Sequence, residues 1–302
     1  MTDTDAPPSC YRHPGRETYV RCTRCDRPIC PDCMTEAAVG FQCPECVREG
    51  RKTVREARTV FGGKVAAEAY ATKALIGLNV ILFVAQLASG RVTDNLVLAN
   101  FDVWYFGEYY RMLTSAFLHD TGFLFHIGLN MYALFAFGSQ VERLLGRSRY
   151  VVLYLVAALG GSVATYLFYD PYGASLGASG AVFGLFGAFF VFARRMRADT
   201  SQLLLLIGIN LVIGFAARGY INNYAHIGGL LTGALVAWIY IQVPRGSRQT
   251  LLQLGGAALV VLALVGATAF RTHDLRQHPP TPPRDLVGSS AATTSGTGAP
   301  SR

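Results

Sequence analysis

The chain has 302 residues, a formal net charge of +8 and a mean hydropathy of +0.31, with 51% hydrophobic and only 15% charged residues. A soluble globular domain carries roughly 25% charged residues, so this composition argues against a single soluble domain and against an intrinsically disordered chain. All seven cysteines lie within the first 46 residues. This distribution argues against a secreted disulfide scaffold and predicts a small cysteine-rich domain attached to a membrane protein.

Four pairs of potential metal ligands occur near the N-terminus, and two residues separate the partners of each pair. The pairs are Cys10 and His13, Cys22 and Cys25, Cys30 and Cys33, and Cys43 and Cys46. Eight such ligands suffice for two tetrahedral zinc sites, and the reducing cytosol disfavours disulfides. We therefore predict two structural Zn²⁺ ions, which supply most of the folding free energy of a segment with few apolar residues.

The spacing of these pairs resembles that of a B-box-type zinc finger, and we assign residues 1–47 to such a domain. The resemblance implies cross-braced ligation, in which the first and third pairs bind one ion and the second and fourth pairs bind the other. Sequential pairing along the chain is an open alternative. The domain is either a folded cap without a partner or a docking or regulatory module for a cytosolic protein, and the sequence does not separate these roles.

Seven stretches without Asp, Glu, Lys or Arg follow, and each approaches the ~20 apolar residues needed to cross a bilayer. They cover residues 74–89, 123–141, 150–169, 179–193, 201–217, 224–243 and 251–270. Lipid does not tolerate unpaired backbone polar groups, and no alternation of period two indicates a barrel. We therefore predict an all-α polytopic membrane protein with seven transmembrane helices, preceded by the small zinc-binding domain. Seven such stretches in succession argue against the buried helices of a large soluble protein.

The arginines between the spans predict the orientation of the chain. Eight of them fall on one side of the membrane and three on the other, and the side richer in basic residues is cytoplasmic. The basic linker, residues 48–73, lies on the richer side, so the N-terminus of this multi-pass cell-membrane protein is predicted to be cytoplasmic and its C-terminus extracytoplasmic. The tail, residues 271–302, is rich in Pro, Ser, Thr and Gly and is predicted to be disordered. Membrane topology explains much of the positive charge, so no nucleic-acid partner is expected.

One serine and one histidine stand out in the fourth and sixth spans. Polar groups are costly inside a membrane, so those that occur there usually have a function. Ser179 lies in the segment Gly177-Ala178-Ser179-Gly180 at the start of the fourth span, where free helix N–H groups favour a developing negative charge. Glycines follow His226 at the third and seventh positions, and a second stripe of glycines lies on the fourth span. Because small faces allow helices to approach closely, we predict that His226 reaches Ser179 as its general base.

A second histidine lies at a similar predicted depth near the outer leaflet. This residue is His126, and Asn130 follows it four positions later on the same helix face. Their side chains can join the backbone N–H of Ser179 as donors to an oxyanion.

These motifs occur as His126-x-x-x-Asn130, Gly177-x-Ser179-Gly180 and Ala225-His226-x-x-Gly229-x-x-x-Gly233. Their residues and order resemble those of the rhomboid family of intramembrane serine proteases. The resemblance implies that Ser179 is the nucleophile and His226 the base of a catalytic dyad, with no cofactor. It further implies that His126 and Asn130 belong to the oxyanion hole.

The resemblance also implies a function and a domain arrangement. The expected function is cleavage of transmembrane protein substrates within the lipid bilayer, near its outer leaflet. Residues 74–245 form the expected protease core, and residues 246–270 form the additional C-terminal transmembrane helix of a six-plus-one rhomboid.

Two positions depart from the family pattern. Tyr110-Arg111 stands where the family often has Trp-Arg, and Phe183 stands where it often has Tyr. Phe183 lacks a hydroxyl group but still offers a ring face to His226, and Arg111 is expected to keep its structural role. The alternative function is a catalytically inactive rhomboid-like scaffold that binds transmembrane helices, although such proteins usually lack the serine or the histidine. A transporter with broken helices has less support, because the spans contain no carboxylate to couple ions.

Overall fold

The computed structural model describes residues 7–53, 58–65, 68–216 and 221–282 of the chain. The chain divides into two compact units, Met1–Ala57 and Arg58–Arg302. The first unit contains the predicted zinc-binding domain, and the second contains the predicted spans.

The N-terminal unit is built from two short hairpins and one helix. Strand β1 (Ser9–Cys10) pairs antiparallel with β2 (His13–Glu17), and β3 (Thr35–Glu36) pairs antiparallel with β4 (Phe41–Gln42). Helix α1 (Pro44–Thr53) begins at a proline, whose fixed φ suits the first turn of a helix. Apart from Ile29, the buried apolar residues of this unit are cysteines. The potential metal ligands therefore form its core.

The second unit is mostly helical. Its helices are α2 (Tyr70–Ala88), α3 (Gly90–Leu96), α4 (Arg111–Thr114), α5 (Leu124–Ala133), α6 (Ser139–Leu145), α7 (Arg147–Phe168), α8 (Ser179–Arg195), α9 (Ser201–Ala216), α10 (Asn223–Gln242) and α11 (Gln249–Gln277). A π-helical turn, Leu134–Gly138, joins α5 to α6. Two short strands, β5 (Leu98–Ala99) and β6 (Ala174–Ser175), pair antiparallel. The predicted helical fold class is thereby confirmed at the level of secondary structure.

Helices occupy each of the seven predicted spans, but they differ in length. Among the described residues, α2, α7, α10 and α11 are long and apolar enough to cross a membrane, and α9 is a shorter apolar helix. Helix α8 has 17 residues and is therefore about 26 Å long, which is less than the ~30 Å hydrocarbon core of a bilayer. The crossing of all seven segments stays a prediction.

Glycines bring α8 and α10 into backbone contact, as their spacing in the sequence predicts. A Cβ atom at Gly229 would overlap the carbonyl oxygen of Gly180, and one at Gly233 would overlap that of Gly184. Neither position of α10 has room for a side chain. The small faces therefore fix the separation and register of the two helices that carry Ser179 and His226.

The segment before α2 packs against the end of the helical bundle. The Phe61 ring stacks on Phe192 of α8 with centroids 4.6 Å apart, and the Gln253 side chain of α11 donates a hydrogen bond to the Phe61 carbonyl at 3.3 Å. These contacts place residues 58–65, part of the predicted linker 48–73, within the second unit. The linker prediction rested on the basic residues of this segment and did not consider the packing of its phenylalanine.

Arg111 keeps the structural role predicted for it. Its side chain is buried and forms ion pairs with Asp102 at 3.2 Å and Glu108 at 2.5 Å. The guanidinium group also donates hydrogen bonds to the carbonyl oxygens of Asp94 and Val97 at 2.7 and 3.0 Å. This single side chain thus fixes the loop that follows α2 and α3.

The last helix extends beyond its predicted end. Residues 271–277 continue α11, so the prediction of a disordered tail over 271–302 is wrong for them, while residues 283–302 lie outside the described residues. The Thr272 hydroxyl lies 2.7 Å from that of Tyr166, and Arg276 donates a hydrogen bond to the Trp104 carbonyl at 2.8 Å. Tertiary contacts therefore order a sequence whose composition alone predicts disorder.

Candidate active site and metal centres

Ser179 and His226 lie within hydrogen-bond distance of each other. The Ser179 Oγ is 2.9 Å from the His226 Nε2. Ser179 is the first residue of α8, and Gly177 precedes it with φ +133°, a conformation that L side chains rarely adopt. The glycine allows the sharp turn that presents the serine at the helix N-terminus.

The ring of Phe183 packs against His226, and Asn222 caps the helix that carries this histidine. The Phe183 ring, one turn after Ser179 on α8, stacks on the imidazole with centroids 4.2 Å apart and planes at 2°. The Asn222 side chain caps α10 by accepting hydrogen bonds from the N–H groups of Tyr224 and Ala225. Among the described residues, the Nδ1 of His226 has no hydrogen-bond partner. Within the described part of the chain, no carboxylate accepts a hydrogen bond from this nitrogen.

His126 lies beside the turn that carries Ser179. Its Nε2 is 2.9 Å from the position that a Cβ atom would occupy on Gly177, and the Ser179 Oγ is 3.7 Å from the same position. The Nδ1 of His126 accepts a hydrogen bond from the Asp120 N–H at 3.2 Å. The imidazole therefore turns its Nε2 side towards the loop around Ser179.

Asn130 is buried one turn below His126 on the same helix. Its Nδ2 donates a hydrogen bond to the His126 carbonyl oxygen at 2.8 Å. A carboxamide carries two N–H donors, so one remains available to a second acceptor.

Backbone donors at the start of α8 complete the arrangement. The first intrahelical hydrogen bond runs from the Val182 N–H to the Ala178 carbonyl oxygen at 3.0 Å. The preceding N–H groups, including that of Ser179, therefore have no acceptor within the helix. Such groups can bind an anion or a developing oxyanion.

One histidine near this site was missed by the sequence analysis. His119 is fully buried, and its ring meets that of His126 edge to face with centroids 5.1 Å apart. It precedes the predicted span 123–141 and is followed by Asp120, so a search confined to uncharged stretches passes over it. Its spacing of seven residues from His126 is the signal in the sequence that could have drawn attention to it.

The N-terminal unit brings the eight predicted metal ligands into two groups of four. One group is Cys10, His13, Cys30 and Cys33, and the other is Cys22, Cys25, Cys43 and Cys46. Within each group, the candidate ligand atoms all lie within 4.8 Å of one another. The first pair is thus grouped with the third and the second with the fourth, which is the cross-braced arrangement and not the sequential one.

The distances within these groups fit tetrahedral metal coordination. The Sγ atoms of Cys25 and Cys43 are 3.7 Å apart, and the Nδ1 of His13 is 3.3 Å from the Sγ of Cys30 and 3.5 Å from that of Cys33. A tetrahedral zinc site with Zn–S about 2.3 Å and Zn–N about 2.0–2.1 Å has edges of about 3.8 Å and about 3.5 Å. A disulfide would require about 2.05 Å between sulfur atoms, so the geometry fits a bound cation.

The thiols of these groups differ in how readily they lose a proton. Burial alone would raise the pKa of the Cys10 thiol, but hydrogen bonds from backbone N–H groups, including those of Arg12 and Cys30, outweigh this effect and lower the pKa to about 6. Burial and the neighbouring thiols raise the pKa of Cys33 to about 11. A cation shared by the group would favour the thiolate form of all its cysteines.

Comparison with known proteins places the second unit in a family. A family model described as Rhomboid domain matches residues 106–243. YdcA of Bacillus subtilis (strain 168), named as a rhomboid protein, is 31% identical over 141 residues, which cover 45% of this chain and 69% of YdcA. The chain belongs to the rhomboid family. Its rhomboid domain contains Ser179, His226, His126 and Asn130.

Other relatives match this rhomboid across longer stretches. Rhomboid protease GluP of Bacillus subtilis is 34% identical over 212 residues, which cover 67% of this chain and 40% of GluP. RHOMBOID-like protein 6, mitochondrial, of Arabidopsis thaliana is 35% identical over 146 residues, or 46% of each chain. The matched regions thus span less than half the length of these two relatives.

Proposed function

We propose that this rhomboid is an intramembrane serine endopeptidase that cleaves transmembrane protein substrates with a dyad of Ser179 and His226. The observation that carries the proposal is the 2.9 Å distance between the Ser179 Oγ and the His226 Nε2, which is within reach for proton transfer. The names of relatives that include rhomboid proteases support the same reaction class.

Acylation begins when the Ser179 Oγ attacks the scissile carbonyl carbon and its proton passes to the His226 Nε2. The C–O bond forms as the carbonyl π pair moves onto oxygen, and N–H donors from His126, Asn130 and the Ser179 backbone stabilise this oxyanion. The intermediate then collapses with cleavage of the C–N bond. His226 returns the proton to the leaving amine, and an acyl-enzyme remains.

Deacylation repeats these steps with water as the nucleophile. His226 takes a proton from the water as its oxygen attacks the acyl carbon, and the same donors stabilise the second oxyanion. Collapse breaks the ester bond, returns the proton to the Ser179 Oγ and releases the carboxylic acid.

The proposed membrane arrangement follows the predicted topology. All seven helical segments cross the cell membrane, the N-terminus is cytoplasmic and the C-terminus is extracytoplasmic. Ser179 begins a helix of about 26 Å, so the nucleophile lies below the outer surface and water reaches it from that side. Substrates are helices that unwind near the outer leaflet of the bilayer.

The proposal is tested with a model transmembrane substrate in liposomes. Ser179→Ala is expected to abolish cleavage, while Ser139→Ala, a buried serine of α6 outside the site, keeps wild-type activity. A fluorophosphonate probe should label the wild-type protein at Ser179 only. Undiminished cleavage by Ser179→Ala would refute the proposal, and a wild-type protein that neither cleaves nor labels would favour the inactive scaffold.

We also propose that the N-terminal unit is a B-box-like domain with two structural Zn²⁺ ions. Its eight ligands and their tetrahedral distances support this assignment. When bound, the metal holds the two hairpins and α1 together. The domain serves as a docking or regulatory module for a cytosolic partner, and deletion of residues 1–57 should alter activity, substrate range or co-purifying proteins. A deletion variant unchanged in all three respects would refute the regulatory role.

A further inference from the structure

The Asp120 N–H determines which nitrogen of His126 carries the proton. A neutral imidazole has one N–H donor and one acceptor nitrogen. Because the Nδ1 of His126 accepts the Asp120 N–H at 3.2 Å, its proton lies on Nε2. This is the nitrogen that faces Gly177 and the turn before Ser179. The tautomer required of an oxyanion donor is therefore imposed by a backbone group six residues earlier.

The Asp120 N–H is held in place through the residue before it. The side chain of Gln86, buried on α2, binds both backbone groups of His119. Its Oε1 accepts the His119 N–H at 3.0 Å, and its Nε2 donates to the His119 carbonyl oxygen at 3.0 Å. That carbonyl belongs to the same peptide group as the Asp120 N–H, so Gln86 fixes the plane of the peptide that contacts His126.

The remaining contacts make this peptide rigid. The Nε2 of Gln86 also lies 3.0 Å from the Thr93 hydroxyl, to which it donates its second N–H. The Asp120 Oδ1 accepts the Gly122 N–H at 2.9 Å, and the His119 ring blocks one side of the His126 ring. The carboxamide, the peptide and the imidazole thus form one connected hydrogen-bonded chain from α2 to the candidate active site.

We propose that Gln86 is a positioning residue for the oxyanion hole. It orients the peptide between His119 and Asp120, and this peptide holds His126 as the Nε2–H tautomer. The inference rests on the proposed function, because it gives His126 the task of stabilising an oxyanion. Gln86 does not contact the reacting atoms and acts only through His126.

The first test is kinetic and uses a variant of similar size. Loss of one oxyanion donor lowers kcat by about 10²–10³-fold, so misalignment of one donor in Gln86→Met should lower kcat by about tenfold with little change in KM. Gln86→Glu keeps the acceptor for the His119 N–H and should recover part of this loss. Asn79→Leu is the matched control, because Asn79 is buried on the same helix and its amide nitrogen donates to the Leu75 carbonyl.

The second test reads the tautomer directly and does not depend on proteolysis. Nitrogen-15 NMR of histidine-labelled protein, assigned by comparison with His126→Phe, should show His126 protonated at Nε2 in the wild type and a mixture of tautomers in Gln86→Met. Wild-type kcat with an unchanged tautomer in Gln86→Met would overturn the proposal, and so would an equal loss of kcat in Asn79→Leu. Continued cleavage by Ser179→Ala would refute the proposed function, while the NMR result would still decide whether Gln86 sets the tautomer.

Discussion

The Phe183 ring lies parallel to the His226 imidazole, with centroids 4.2 Å apart and planes at 2°. The contact limits rotation of the imidazole and needs no hydroxyl group, so we expect phenylalanine to serve in place of tyrosine at this position. We expect Phe183→Ala to lower kcat by about tenfold, because loss of alignment between nucleophile and base reduces general base catalysis. Phe183→Tyr should keep near wild-type kcat, as measured with a model substrate in liposomes. A wild-type rate in Phe183→Ala would show that other contacts orient His226.

The proposed oxyanion donors should affect turnover more than substrate binding. His126→Phe and Asn130→Leu each remove one side-chain donor, so each is expected to lower kcat by about 10²-fold with KM nearly unchanged. Steady-state kinetics measures this separation. Gln140→Leu is a suitable control, because Gln140 is exposed and donates a hydrogen bond to the Ala136 carbonyl. A rise in KM at constant kcat would instead assign these residues to substrate binding.

The contact between α8 and α10 should not accept even one methyl group. A Cβ atom at Gly229 would overlap the Gly180 carbonyl oxygen, so Gly229→Ala is expected to destabilise the protein by about 1–3 kcal/mol and to separate Ser179 from His226. The midpoint temperature of unfolding in detergent and the cleavage rate should both fall in this variant. Gly208→Ala on α9 is the control, since no atom lies within 4 Å of that Cβ position and alanine is the better helix former.

Paired cysteine substitutions distinguish cross-braced from sequential metal binding. The cross-braced groups predict that Cys10→Ser with Cys30→Ser disrupts one site, while Cys10→Ser with Cys22→Ser disrupts both. Sequential pairing predicts the reverse. Native mass spectrometry of the full chain should therefore count one bound zinc in the first double variant and none in the second, against two in the wild type. Chelation should also expose the cysteines to alkylation, since the metal supplies most of the folding free energy.

The sequence was sufficient for the parts of the site that depend on helix periodicity. Regularly spaced glycines predicted the close contact of two helices, and that contact brings Ser179 to His226. The role of Gln86 could not be predicted in the same way, because it acts on backbone groups of His119. Backbone donors carry no residue-specific signal, and one buried glutamine in an apolar helix is compatible with many hydrogen-bond partners.

Composition was least informative where tertiary contacts override it. Residues 271–277 have the polar composition of a tail, yet they continue α11 because Thr272 and Arg276 bind Tyr166 and the Trp104 carbonyl. The candidate metal ligands were predictable from spacing, but the grouping of the first pair with the third required either a family resemblance or the folded hairpins.

The position of Phe61 determines where the N-terminal unit can be removed without disturbing the helical bundle. A truncation intended to remove only the N-terminal unit should end before Arg58, because one that also removes Phe61 uncovers Phe192 in the interior of the bundle. Phe192 lies near one end of α8 and Ser179 lies at the other. A truncation that removes Phe61 therefore disturbs α8 at the end opposite Ser179.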